Sequence, residues 1–254
     1  MSNLSLYLSR TAQIIHESTM RVVLMKGLEA PSRSPRTLFT FNSEQDIKQI
    51  ATGCDADIGG TSTVHFELNK NAKDNAEIGK EATGVFWGDM RLGVKAGLES
   101  KVNGGYAGFR NKRRPTLFGE LTDDVSNHRY LSLRLRLGGD EATHNSYFCN
   151  IQTETPVTTD LWQHRLFFKR RDGGWENIYI PFDSFVQTNF GEVSEAKVEM
   201  YKDKIRSIGI SILGARSGSA GRYELGIDSI GITNDEHIEP SARVTDKDKE
   251  LAEL

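Results

Sequence analysis

The chain has 254 residues, of which 37% are hydrophobic and 26% charged, and its formal net charge is −3. That length is enough to bury a core without disulfides or metals, and the charge argues against a nucleic-acid-binding protein that relies on a broadly basic surface. No apolar run approaches the roughly 20 residues that cross a bilayer, so any membrane association is expected to be peripheral.

Residues 1–36 form the first zone, in which five bases face only two acids. Leu4, Leu8, Ile15 and Val22 lie on one face of a predicted amphipathic helix. An amphipathic start that is rich in arginine and serine and poor in acids resembles a mitochondrial transit peptide. A helix that packs on the body of the protein or on a partner fits the same pattern, and both interpretations stay open.

Residues 37–232 form the second zone, which is dominated by side chains that alternate with a period of two. In the clearest example, Leu131, Leu133, Leu135 and Leu137 alternate with polar residues, as expected of a half-buried strand. Strands are predicted at 64–68, 84–87, 90–94, 106–109, 116–121, 131–137, 147–152, 161–168 and 208–212. Short helices are predicted at 43–50, where Ser43 can cap the first turn, and at 183–185.

Two features of this zone concern turns. The segments 167–171 and 175–180 flank Asp172-Gly173-Gly174 and are predicted to form a hairpin, because glycine readily adopts the positive φ of such turns. Tyr223, Leu225 and Ile227 share one parity, whereas Ile230 and Ile232 have the other, which predicts a β-bulge near residues 228–229. About ten strands separated by turns predict an all-β, jelly-roll-like sandwich with an N-terminal amphipathic helix.

Residues 233–254 form a third zone, a charged C-terminal tail with seven acids and three bases. Segments so rich in charge and so poor in large apolar side chains rarely fold alone. We expect a solvated tail, or a short helix that becomes ordered on a partner.

Catalytic patterns are missing from the sequence. Gly59-Gly60 is followed by a predicted strand rather than the helix of a phosphate-binding loop, and there is no GxSxG motif. The two cysteines, Cys54 and Cys149, are far apart, and the six histidines lack zinc-ligand spacing. Unpaired thiols fit a reducing compartment. We therefore expect no cofactor, no metal and no small-molecule substrate, although a hydrolase whose residues meet only on folding is a weaker alternative.

Two basic clusters are the candidate partner-contact residues. Each borders a turn, so both clusters are predicted to be exposed, and they suit an acidic protein partner or anionic lipid headgroups. Solvated charged loops without a function are the alternative. The candidates are Arg110, Lys112, Arg113 and Arg114 in the first cluster and Lys169, Arg170 and Arg171 in the second.

Carbohydrate binding is the main rival function, because jelly rolls often bind sugars through exposed aromatic side chains beside polar ones. Trp87, Trp162 and Trp175, together with Tyr179 and Phe168, can supply such a platform. Most large aromatic residues fill the cores of sandwiches, however, so we expect these residues to be mainly buried.

A series of short segments resembles a known family. In order, residues 104–110 read GGYAGFR, 130–139 YLSLRLRLGG, 160–168 DLWQHRLFF, 175–185 WENIYIPFDSF, 205–212 IRSIGISI and 225–232 LGIDSIGI. This series resembles the complex I intermediate-associated protein 30 family over about residues 38–232. No single motif is specific, but their order and spacing are.

The resemblance implies a non-catalytic assembly factor for mitochondrial NADH:ubiquinone oxidoreductase, complex I. Such a protein would have a fold like that of galactose-binding domains and carbohydrate-binding modules. It would act in the matrix, peripherally at the inner membrane, and would bind membrane-arm intermediates and other assembly factors. The family supplies no catalytic residues, so the matching positions are expected to be scaffold or surface residues: Tyr106, Phe109, Arg134, Arg136, Trp175, Pro181, Phe182 and Asp228.

Overall fold

The structure is a computed structural model, and it describes residues 3–23, 32–99, 101–155, 157, 159–189, 192–194, 198–215 and 217–235. The charged tail predicted at 233–254 lies outside the described residues from position 236 onward.

The described part of the chain contains three α-helices and fifteen strands. The helices are α1 (Asn3–Val23), α2 (Glu44–Lys48) and α3 (Ala72–Asn75). The first eight strands are β1 (Arg36–Thr40), β2 (Ile50–Cys54), β3 (His65–Asn69), β4 (Thr83–Met90), β5 (Tyr106–Asn111), β6 (Pro115–Thr116), β7 (Gly119–Glu120) and β8 (Tyr130–Gly139). The others are β9 (Tyr147–Thr153), β10 (Asp160–Arg165), β11 (Trp175–Pro181), β12 (Val186–Asn189), β13 (Glu192–Val193), β14 (Ile205–Leu213) and β15 (Gly221–Thr233).

Two antiparallel sheets form the sandwich. One has the order β11-β8-β15-β4-β3, with β1 also paired to β15, and the other has the order β13-β12-β10-β9-β14-β5-β2. The short strands β6 and β7 pair with each other as a separate hairpin. The predicted all-β, jelly-roll-like sandwich with an N-terminal helix is confirmed.

The core lies between the sheets and is built by the alternating residues of the central strands. Leu131, Leu133, Leu135 and Leu137 of β8 are at most 2% exposed. The facing sheet contributes Ile208, Ile210 and Ile212 of β14, together with Tyr147, Cys149 and Ile151 of β9. Each fully buried side chain of this size stabilises the fold by about 1.5–3 kcal/mol relative to an exposed one.

The predicted bulge in the last strand is confirmed. The pairing of β15 with β8 shifts register between Ile227 and Ser229, so one residue of β15 is added to the ladder at this point. The extra residue brings Leu225 and Ile227 before it, and Ile230 and Ile232 after it, onto the same buried face.

Several predicted elements differ from the structure. The strand predicted at 84–87 extends to Met90, where β4 ends, so the separate strand at 90–94 is wrong. The predicted strand at 116–121 is the β6–β7 hairpin. The predicted hairpin between 167–171 and 175–180 is also wrong, because β11 pairs with β8 instead. The carboxylate of Glu176 accepts hydrogen bonds from the main-chain N–H groups of Lys169 and Arg170, which occupies donors that a hairpin ladder would use.

The two short helical predictions agree with the structure within a few residues. Ser43 caps α2 and accepts a hydrogen bond from the N–H of Asp46, whose carboxylate accepts one from the N–H of Ser43. A single 3₁₀ turn lies at Phe182–Ser184.

Candidate partner-binding surface

The first basic cluster begins at the end of β5 and continues into the β6–β7 hairpin. Arg110 and Lys112 are both exposed. The Lys112 Nζ donates a hydrogen bond to the main-chain oxygen of Lys48 at 2.9 Å, and its N–H donates to the oxygen of Gln49 at 2.7 Å. These two bases therefore lie on the surface beside the end of α2, as predicted from the turn that follows them.

Arg113 and Arg114 are both paired with acids. Arg113 binds the Glu120 carboxylate through Nη2 at 2.8 Å and Nε at 3.0 Å, and the Nε of Arg206 lies 3.0 Å from the same carboxylate. Burial alone would raise the pKa of Glu120, but the hydrogen bond from Arg113 and the charges of both arginines lower it below its ordinary value. The Arg113 side chain is 60% exposed, so it can still contact a partner.

Arg114 corrects the expectation that the whole cluster is exposed. Its Nη2 lies 2.5 Å from an oxygen of Asp123, and both side chains are only 17% exposed. The Arg114 guanidinium also lies 5.6 Å from the centre of the Phe39 ring. Because strand β1 covers it and Asp123 neutralises it, Arg114 serves the fold rather than the free surface.

The second basic cluster is neutralised by acids of its own. The Arg170 guanidinium binds Asp172 at 2.8 Å, Glu77 at 2.5 Å and the main-chain oxygen of Trp175 at 3.0 Å. These contacts raise the pKa of Arg170, and the hydrogen bond from Arg170 lowers the pKa of Asp172 to about 2. Arg171 lies 3.5 Å from Glu141, while Lys169 is exposed. This surface therefore carries little net positive charge.

The two clusters lie against different parts of the sandwich. The first extends from β5 of the seven-stranded sheet, whereas Arg170 contacts β11 and the turn after α3, next to the six-stranded sheet. The structure does not combine them into one basic surface.

Helix α1 lies beside the first cluster, which the sequence did not predict. The Arg10 Nη2 donates a hydrogen bond to the Gln49 side chain at 3.0 Å. Thr11 is buried, and its hydroxyl oxygen accepts a hydrogen bond from the N–H of Leu117 at 3.3 Å. The nearby charge of Arg114 adds to partial burial in lowering the pKa of Arg10. Only folding brings residues 10, 49 and 117 together, so sequence spacing gives no signal for this contact.

The tryptophans do not form the sugar platform considered above. Trp162 and Trp175 are buried, as expected for core residues. Trp87 lies on the outer face of the six-stranded sheet, where its ring is stacked on His65 with centroids 4.3 Å apart and the Arg222 guanidinium lies 5.0 Å from the ring centre. This indole therefore already makes a stacking contact and a cation–π contact within the protein.

A different polar surface lies on the outer face of the seven-stranded sheet. A row of hydrogen bonds runs from Thr188 to Gln163 at 3.0 Å, from Gln163 to Asn150 at 2.7 Å and from Asn150 to Ser211 at 2.9 Å. Tyr106, which is 43% exposed, stands on β5 at one end of this row. An exposed ring beside amide and hydroxyl groups has the chemistry of a sugar-binding surface.

The thiols and the neighbouring carboxylates that the sequence offers as reactive groups are engaged in the fold. Burial raises the pKa of both thiols, Cys54 and Cys149, which disfavours the thiolate. Asp123 pairs with Arg114, whereas Asp124 accepts hydrogen bonds from Ser126, so these neighbouring carboxylates face different partners. Within the described ranges, no group of three or more His, Cys, Asp or Glu side chains could hold a metal ion.

Comparison with known proteins relates this sandwich to one family. The family model for complex I intermediate-associated protein 30 matches residues 39–227, from β1 into β15 and across both sheets. The chain belongs to the complex I intermediate-associated protein 30 family. Both basic clusters lie inside the matched range of this family, whereas helix α1 lies outside it.

Two relatives named "Complex I intermediate-associated protein 30, mitochondrial" support this membership. The relative from Neurospora crassa is 33% identical over 241 residues, which cover 89% of this chain and 83% of the relative. The relative from Mus musculus is 26% identical over 237 residues, with 89% and 67% covered.

Solved structures with a similar fold are carbohydrate-binding modules. A family 11 module of a Clostridium thermocellum cellulase matches 82% of this chain and 99% of its own with a TM-score of 0.54. The family 11 module from the same organism in complex with a β-1,3-1,4-mixed-linked tetrasaccharide matches with a TM-score of 0.53, covering 80% and 97%. Both are 14% identical in sequence, so the likeness shows the fold alone. Among the described helices, none is sufficiently long and apolar to span a membrane.

Proposed function

We propose that this protein is a non-catalytic assembly factor for mitochondrial complex I that binds membrane-arm intermediates from the matrix side. The observation that carries the proposal is the family match at residues 39–227, which includes strands from both sheets. In this proposal the sandwich associates peripherally with the inner membrane and holds intermediates together with other assembly factors.

The chemistry of the described residues favours binding over turnover. Cys149 is buried and Cys54 partly buried, desolvation raises the pKa of both thiols, and Asp123 is held in an ion pair. Arg110, Lys112 and Arg113 remain on the surface beside α1, so they are the members of the first cluster that we assign to partner contact. Exposed bases of this kind mainly steer and orient an acidic partner, which suits a complex that must later be released.

Complexome profiling tests the assembly role. Mitochondria containing the tagged chain are resolved by native electrophoresis, and the chain should migrate with partial complex I and not with the finished enzyme. Cells without the protein should accumulate partial complex I. The proposal fails if the chain never migrates with partial complex I, or if complex I assembles normally without it.

Charge reversal tests the proposed contact residues in the same experiment. Arg110→Glu with Lys112→Glu should reduce co-migration, because the two acids would repel an acidic partner. Lys70→Glu with Lys73→Glu is the matched control, since both lysines are exposed, but Lys70 directly follows β3 of the six-stranded sheet and Lys73 lies in α3. Equal co-migration of both double variants would remove the first cluster from the interface while leaving the assembly role intact.

Carbohydrate binding is a second candidate, supported by Tyr106 and the polar row from Thr188 to Ser211. Calorimetric titration with soluble β-glucan oligosaccharides tests it. Saturable binding that is lost in Tyr106→Ala, but kept in Tyr201→Ala, would support this function, because Tyr201 is also exposed but precedes the opposite end of β14. The absence of measurable heat with every oligosaccharide would reject it.

A further inference from the structure

A group of exposed apolar side chains lies where α1 meets the β6–β7 hairpin. Three belong to the helix and two to the hairpin turn, and each is at least 50% exposed. We call this group the apolar ridge; it consists of Leu4, Leu8, Ile15, Leu117 and Phe118. Single exposed apolar residues are common, but a continuous group usually marks an interaction surface.

The contact between Thr11 and Leu117 makes the ridge continuous. Residues three, four and seven positions apart share one face of a helix. Thr11 is seven residues after Leu4, three after Leu8 and four before Ile15, so it lies on the face that carries all three. Because the Thr11 hydroxyl accepts the hydrogen bond from the N–H of Leu117, the hairpin turn adjoins that face.

The ridge has basic surroundings. Exposed bases border the ridge, although the chain as a whole has a net charge of −3: Lys48 and Lys112 lie beside the end of α2, and Arg113 lies at the start of the hairpin with 60% of its side chain exposed. Arg10 of α1 adds a further base, whereas Arg114 and Arg206 are held in ion pairs with Asp123 and Glu120 and are not counted. This side of the molecule is therefore locally positive and would turn toward a negative surface.

We propose that the apolar ridge docks on an anionic lipid surface, with α1 along the interface and the β6–β7 turn entering the headgroup region. The ridge supplies the apolar contact, and the bases around it supply attraction to the headgroups, which is the combination found in interfacial helices. The assignment of this lipid surface to the inner membrane rests on the proposed function; the lipid binding itself does not.

The arrangement favours lipid over a protein groove. The helix and the hairpin turn project their apolar side chains outward, and lysines border them on the side of α2. Lysine is depleted in the buried centres of protein interfaces, whereas it commonly borders the apolar face of membrane-surface helices.

Vesicle flotation with the full chain tests the proposal. The wild-type chain should float with vesicles of phosphatidylcholine and phosphatidylglycerol, and much less with phosphatidylcholine alone. Leu117→Ser with Phe118→Ser should lower the partition coefficient about tenfold or more, because two apolar contacts are lost. Ile58→Ser should bind as the wild type does, since Ile58 is similarly exposed but follows the far end of β2.

A second pair of variants separates charge from apolar contact. Lys48→Glu with Lys112→Glu should weaken flotation on the anionic vesicles and reduce its dependence on salt, while the circular dichroism spectrum stays unchanged. The lipid proposal is overturned if the wild-type chain does not float with anionic vesicles, or if the hairpin variant floats equally well. The variant with Leu117→Ser and Phe118→Ser could instead float as the wild type does but no longer migrate with partial complex I. In that case the ridge is a protein interface, the lipid proposal fails and the assembly role stands.

Discussion

At the scale of single residues, His164 shows how the core controls a titratable group. It lies on the inward face of β10, opposite Cys149 of β9, and is 2% exposed. Its ring packs between Phe167 and Phe185, with centroids 6.1 and 5.6 Å away. Burial lowers the pKa of His164 to about 4, so the side chain is neutral in the folded protein at physiological pH.

This shift predicts acid-dependent stability. The unfolded chain protonates His164 near its ordinary pKa of about 6.5, so protons favour unfolding between that value and the folded pKa of about 4. Stability should be complete above about pH 7 and fall by about 2 kcal/mol on acidification to pH 5. Urea unfolding of His164→Phe should lack this part of the decline, whereas His16→Gln on the exposed side of α1 should keep it. An identical decline in both variants would contradict the assignment.

Because Arg114 is paired with Asp123, substitutions within the first basic cluster should destabilise the protein by different amounts. Arg114→Glu places a carboxylate against Asp123 in a half-buried position and should destabilise the protein by about 2–3 kcal/mol. Lys112→Glu, two residues earlier and exposed, should change the free energy of unfolding by less than about 0.5 kcal/mol. Thermal unfolding measures both, and a similar cost for the two substitutions would show that Arg114 is not held as described.

At the scale of elements, alternation predicted the central strands because the side chains that enter the core of a sandwich recur at every second residue of a strand. The leucines of β8, the isoleucines of β14 and the bulge in β15 were all predictable on this basis. The actual conformation of residues 167–171 was not predictable in this way. The Glu176 side chain binds main-chain N–H groups that the alternating pattern assigns to a hairpin ladder. Helix α1 was predictable as a helix, but its contact with the β6–β7 turn depends on residues about a hundred positions apart.

The bulge supplies a prediction for β15. Inserting one alanine after Asp228 would shift the parity of Ile230 and Ile232 by one more residue and turn both away from the core, so the variant should fail to fold. Asp228→Ala keeps the residue count and loses mainly the hydrogen bond from Asn42, so it should fold with a cost of about 1–2 kcal/mol. Soluble yield and circular dichroism compare the two. A folded insertion variant would mean that the spacing of residues after the bulge does not fix the register of β15.

At the scale of the whole molecule, the two sheets share one core and should unfold together. Leu131 to Leu137 and Ile208 to Ile212 belong to the same buried cluster, although they come from opposite sheets. Hydrogen exchange in low urea should therefore give one free energy of opening for the slowest amides of β8 and β14. Two clearly different values would show that the sheets open separately.

Strand β15 also determines when the protein can fold. It pairs with β8 on one side, and with β4 and β1 on the other, where Arg36 pairs with Ile232. Ribosomes deliver chains from the amino terminus, so these three earlier strands emerge long before the strand that joins them. Until β15 has been synthesised as far as residue 233, the unpaired edges of β1, β4 and β8 can pair with strands of other chains. The newly made protein therefore needs protection of its own until β15 has been synthesised.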